Sequence, residues 1–104
     1  MANYVFAFHG GNEPKSPEEG EAIMAKWGVW MQGLGEAIVN PGAPVGQSST
    51  VSSKGVAKDD GGSNPLSGFT IVQADDMGSA LKMAGGCPIL ENNGTVEVAE
   101  MLAM

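Results

Sequence analysis

Few residues in this chain are equipped for chemistry: it has one histidine, one cysteine and two tryptophans. His9 stands where an aromatic and β-branched run, residues 3–9, meets Gly10-Gly11, a strand end beside which pockets often open. Near neutral pH its imidazole can act as a general base or a polar anchor. The same position also suits a structural or simply exposed histidine. One histidine and one cysteine do not build a metal centre, so neither a metal site nor a cofactor is expected. Cys87 cannot form an intrachain disulfide, and with no basic neighbour in sequence it reads as a small buried hydrophobe beside a helix end. Trp27, Trp30 and Met31 fall on one helical stripe. Together with Phe69 they can line a pocket for an apolar or aromatic ligand, or they can pack the core.

The acidic residues offer less. Glu97 and Glu100 point to opposite faces of the last strand, so they cannot serve one site as an acid and base pair, and solvated edge charge accounts for them. Asp59-Asp60 before Gly61-Gly62 reads as turn chemistry. Neither Gly10-Gly11 nor Gly61-Gly62 has the flanks of a phosphate-binding loop. Seven methionines in 104 residues suit adaptable packing.

These residues must be positioned by a single domain spanning residues 1–104, because a chain of this length supports one core, burying roughly 65% of its unfolded surface. Its net charge of −7, from 12 acidic and 5 basic residues, leaves little to neutralise phosphates, so nucleic acid is an unexpected partner. The apolar run Tyr4 to Phe8 is too short for a membrane span or a signal core and has no basic segment before it. A cytoplasmic protein with no membrane partner is the expectation, and a lone cysteine fits a reducing compartment.

The pattern of elements is α+β. Residues 3–9 form a strand. Ser16-Pro17-Glu18-Glu19 supplies an N-cap, a proline at the first helical position and a capping glutamate. The helix that follows carries Ile23, Trp27, Trp30, Met31 and Leu34 at helical spacing, and Gly33 with Gly35 ends it. Residues 37–40 read as a short strand stopping at Pro41. From 41 to 67 the chain is rich in turn residues, with a hairpin in which 49–53 and 56–58 flank Lys54-Gly55. Residues 68–74 form the next strand, and Asp75 or Asp76 caps a helix with the stripe Met77, Ala80, Leu81 and Ala84. Gly85-Gly86 and Pro88 terminate it. After the turn Asn92-Asn93-Gly94, residues 95–101 make the last strand.

Two β-α-β halves in about a hundred residues predict the ferredoxin-like arrangement, here with an inserted hairpin, with both helices on one sheet face. The first strand and residues 68–74 are then central. Both are apolar on both faces: Tyr4, Phe6 and Phe8 oppose Val5, Ala7 and His9, and Phe69 and Ile71 oppose Val72 and Ala74. Two helices shield one face only. A second copy is the simplest cover for the other, giving an isologous homodimer, a dimeric α/β barrel with a ligand cavity between the sheet and the first helix. The alternative cover is the Gly-rich segment folded across the face of a monomer.

At Phe8-His9-Gly10-Gly11, Pro17-Glu18-Glu19, Met24-Ala25-Lys26-Trp27, the strand and cap from Gly68 to Asp76, Gly86-Cys87-Pro88 and Gly94-Thr95-Val96-Glu97-Val98, the chain resembles the YCII-related, DGPF-type family of the dimeric α/β-barrel superfamily. The resemblance runs over nearly the whole chain and implies the paired barrel. It also implies a superfamily in which monooxygenases, isomerases, haem enzymes and ligand-sensing domains all occur, so the fold does not name a reaction. Some members of the family use a histidine on the first helix with an aspartate just after the second. Here the first helix offers Trp27 and Trp30 instead, and the stretch after Pro88 runs Ile89-Leu90-Glu91. Where one branch has Asp-Gly-Pro-Phe, this chain has Asp60-Gly61-Gly62-Ser63.

Three functions follow. The first is a homodimeric protein binding a small apolar or aromatic molecule. The second is a cofactor-independent lyase, isomerase or oxygenase acting on a small apolar or phenolic substrate, with His9 as the acid-base residue. The third is a purely structural interaction module, which requires a collapsed cavity.

Overall fold

The computed structural model describes residues 1–58 and 62–103. In chain order the elements are β1 (Ala2–Gly10), α1 (Pro17–Leu34), β2 (Ile38–Pro44), the hairpin strands β3 (Thr50–Ser52) and β4 (Gly55–Ala57), β5 (Leu66–Ala74), α2 (Met77–Ala84) and β6 (Gly94–Glu100). The fold is α+β, with an antiparallel sheet of order β2-β5-β1-β6 and a separate β3-β4 hairpin. The doubly apolar strands β1 and β5 are thus the central pair. Asp59, Asp60 and Gly61, where a turn is expected from sequence, lie outside the described residues.

Local chemistry sets the helix starts. Ser16 Oγ accepts from the Glu19 amide at 3.1 Å and Pro17 opens α1, while Asp76 Oδ1 accepts from the Ser79 amide at 2.8 Å to open α2. These bonds satisfy amides that the first helical turn leaves without partners. They also hold the Asp76 carboxyl below its ordinary range, chiefly through the backbone amide of Ser79.

Both helices bury their apolar sides on one face of the sheet. Tyr4, Phe6 and Phe8 from β1 and Val72 and Ala74 from β5 meet Trp30 of α1 and Ala80 and Ala84 of α2 in one buried cluster. The small alanines let α2 lie close to the sheet, whereas Leu81, expected on its buried stripe, is exposed. The stripe turns toward Met83 instead, which packs against the core. Trp30 Nε1 donates to the Met83 carbonyl at 2.9 Å, tying α1 to the end of α2.

The second strand does not stop at Pro41. It continues to Pro44 with two register irregularities, one between Ile38 and Asn40 and one between Asn40 and Ala43. An edge position makes this possible, since a proline there can turn its missing donor away from the ladder. Asn40 Oδ1 accepts from the Gly42 amide at 2.8 Å, and the Pro41 carbonyl accepts from buried Thr70 Oγ1 at 3.0 Å. Gly42 itself has φ +69°, and a Cβ there would run into the Phe69 carbonyl oxygen. Only glycine lets the edge strand approach β5 so closely.

The opposite sheet face has no helix over it. Val5, Ala7, Phe69 and Ile71 lie on it half-buried, with exposed Ala43 beside Phe69. The hairpin lends it no cover: every β3 and β4 residue is exposed, Val51 by 75% and Val56 by 66%. The molecule is accordingly a slab of 43 × 39 × 18 Å with a radius of gyration of 14.8 Å, against about 13 Å for a compact domain of this size. Among the described residues, no helix is long and apolar enough to cross a membrane.

Candidate functional site

At the end of β1 the ladder with β5 slips. Phe8 faces Gly68 but His9 faces Leu66, leaving Ser67 as an extra residue in β5. Such bulges bend a strand and re-aim side chains. Here the bulge stands next to the only histidine. Beyond it, Gly10 and Gly11 take positive φ angles of 73° and 92°, which turn the chain away from the sheet.

His9 lies on the helix-free face and is held at both nitrogens. Nδ1 is 3.1 Å from the Asn64 carbonyl oxygen, and Nε2 is 2.9 Å from Glu97 Oε1. The His9 side chain is only 13% exposed, whereas that of Glu97 is 68% exposed. The contact follows from register: β6 runs antiparallel to β1 with Thr95 opposite His9 and Glu97 opposite Ala7. Glu97 is therefore the diagonal neighbour of His9 on one face. Carbonyl and carboxylate oxygens only accept, so both contacts are hydrogen bonds when the ring donates from both nitrogens, in its imidazolium form. The pair can hold one proton between Nε2 and the carboxylate, as an ion pair or as a proton donor to a bound molecule.

Next to this pair is an open cleft of about 420 Å³ lined by Gly10, Glu13, Val45, Gln47, Leu66 and Ser67 among others. It adjoins His9 along both strands, because Gly10 follows it in β1 and Leu66 opposes it in β5. Ser67 Oγ is buried with no hydrogen-bond partner among the described residues. A second open groove, of about 430 Å³, runs on the helix layer between α1 and the turn after α2, past Ala25, Val29, Trp30 and Pro88. Lys26 Nζ donates to Glu91 Oε2 at 3.0 Å beside it.

The pocket residues expected from sequence are split by the sheet. His9 and Phe69 lie on the open face, while Trp27, Trp30 and Met31 lie on the helix face. There the two indoles meet edge to face at 5.6 Å, and Trp27 meets Phe8 at 5.0 Å. Trp30 also stacks on Phe6 at 6.2 Å. The space between α1 and β1 is occupied by these rings. Glu97 and Glu100 do lie on opposite faces, opposite Ala7 and Tyr4 respectively. Glu97, however, is a partner of His9 rather than free edge charge, and a β1-β6 register carried through from the Gly10 and Gly94 strand ends would have placed the two together. Among the described residues, no three His, Cys, Asp or Glu side chains converge as metal ligands do.

Cys87 is buried, and that burial pushes its thiol up to about 11 from an ordinary value of 9.0. Between those values the unfolded chain has lost this proton and the folded chain keeps it, so folding binds a proton. Stability should then be insensitive to this group below about pH 8.5 and fall as the pH rises toward 11. Cys87→Ala should flatten that alkaline limb in urea unfolding followed by tryptophan fluorescence, and unchanged slopes in the two proteins would contradict it.

Compared with known proteins, the chain matches no protein-family model, and no curated protein sequence matches it.

Proposed function

We propose that this chain is a small-molecule-binding protein that works as a homodimer of ferredoxin-like subunits, the two sheets meeting face to face as a dimeric α/β barrel of the YCII-related kind. The reading is carried by one observation: the helix-free face of the sheet has Val5, Ala7, Phe69 and Ile71 half-buried across its centre, with no helix over it among the described residues. The strand order, with β1 and β5 inside and a hairpin inserted between β2 and β5, is the order such a repeat takes. The His9-Glu97 pair sits where the helix-free face gives way to the cleft, so a second copy would wall in the site. Sedimentation velocity at micromolar concentration tests the pairing. Two-chain particles are expected, and a stable single subunit would overturn it. The lone buried thiol supports a cytoplasmic setting.

A second reading, an acid-base enzyme without a cofactor, draws on the way His9 is held: a backbone carbonyl fixes Nδ1 and a carboxylate faces Nε2. In that reading Nε2 passes its proton to a bound small apolar or phenolic substrate. His9→Gln would then abolish turnover of an identified substrate while leaving its binding within a few-fold. Unchanged turnover would remove the role.

A further inference from the structure

We infer that the Glu97 carboxylate holds the place of a ligand's carboxylate on His9, so that the ligand of this site is a small apolar acid. This deepens the ligand-binding reading above and rests on it for the existence of a ligand.

The two acceptors on His9 are not equivalent. The Asn64 carbonyl belongs to backbone running into β5, and its neighbour Pro65 accepts from the Gly10 amide at 3.2 Å, so the Nδ1 side is fixed. The Glu97 carboxylate reaches Nε2 on a side chain 68% exposed to solvent, from a strand at the edge of the sheet. It can swing into water at little cost. With Nδ1–H committed, the doubly protonated ring presents Nε2–H as a fixed cationic donor at the rim of the apolar centre of this face, Val5, Ala7, Phe69 and Ile71. Ala7 precedes His9 on the same face, Leu66 opposes it and Phe69 opposes Ala7. From β6, Thr95 opposes His9 and Glu97 is its only charged neighbour, while β5 presents none.

An incoming carboxylate that takes the place of Glu97 keeps the charge-assisted hydrogen bond. Its apolar body gains contact with Leu66 and Phe69 and can reach the cleft, where Ser67 Oγ is unpaired among the described residues. Every proton stays where it was: the imidazolium keeps both, and Glu97 leaves as the carboxylate. An alcohol would keep a hydrogen bond without the charge, and an ammonium would be repelled. Neither the net charge of −7 nor Glu13 at the cleft excludes an anion: Glu13 is exposed, where solvent weakens its repulsion, and charges farther away than about 8 Å are screened at physiological salt.

The test uses the full chain at pH 6 with benzoate, benzyl alcohol and benzylamine as probes. Binding is followed by the 15N signals of the His9 ring, and sedimentation is run on the same samples. Benzoate alone should shift both ring nitrogens while they remain protonated. Glu97→Ala should bind it about tenfold more tightly, because the built-in competitor is gone. His9→Ala should lose it. Benzyl alcohol binding as well as benzoate would overturn the acid class while leaving a ligand pocket in place. Equal benzoate affinity in Glu97→Ala and the parent would overturn the placeholder role. Failure of the homodimer would appear separately, as single subunits in the sedimentation run.

Discussion

Phe6→Ala is expected to cost about 3–5 kcal/mol of folding stability, the range for truncating a fully buried phenylalanine. Phe6 is 0% exposed in the middle of a central strand. It faces Thr70 across one ladder and Val98 across the other, and its ring stacks on Trp30. A hole left there cannot readily close. Thr70 is tethered to the Pro41 carbonyl, Trp30 is tethered to the Met83 carbonyl, and the floor is sheet backbone. With a total stability of about 5–15 kcal/mol typical of domains, the loss would be a large share. In a chain of this size it corresponds to a fall in Tm of about 15–30 °C. Urea unfolding at one protein concentration measures it, the concentration being held because association adds to apparent stability. Phe6→Leu should cost less than half as much, and Met24→Ala on the exposed side of α1 should stay within about 0.5 kcal/mol. A cost below about 1.5 kcal/mol for Phe6→Ala would mean that α1 can settle onto the sheet, contrary to the packing described.

What could be read in advance was whatever local chemistry decides. The Ser16 and Asp76 caps, Pro17 at the start of α1 and Gly35 at its end act within a turn of the chain. The period-two alternation of residues 3–9 and 68–74 named the central strands because both of their faces carry apolar side chains. Three features depended on distant partners. The extension of β2 through Pro41 needs an edge position, the Asn40 side chain and the Thr70 hydroxyl, none of which a proline in sequence announces. Whether Trp27 and Trp30 line a cavity or fill one depends on how α1 is placed over Phe6 and Phe8, which periodicity leaves open. The His9-Glu97 contact joins residues 88 positions apart. Each looked ordinary alone, and only the β1-β6 register makes them a pair.

Ile71→Lys is expected to leave a folded chain and to raise the dissociation constant of the proposed dimer about a hundredfold or more. Ile71 lies on β5 at the centre of the helix-free face, opposite Val5 on one side and Asn40 on the other. In a single subunit a lysine there has water above it, so the fold should lose little. In a two-fold interface the same substitution occurs twice, and two ammonium groups would be brought into one apolar surface. Leaving each poorly solvated at a cost of even about 1.4 kcal/mol gives a hundredfold in the equilibrium constant. The area available makes the pairing sensitive. Four strands about 4.8 Å apart, two of nine residues and two of seven, offer a footprint of roughly 500 Å², short of the ~800 Å² per partner of a standard interface. The exposed hairpin, with Val51 and Val56 paired on one side, is the available source of the remainder. Val51→Lys should therefore weaken association as well, by a smaller factor. Sedimentation equilibrium across nanomolar to micromolar concentrations separates the outcomes. A parent and an Ile71→Lys variant that associate equally well would mean that this face is not where two copies meet.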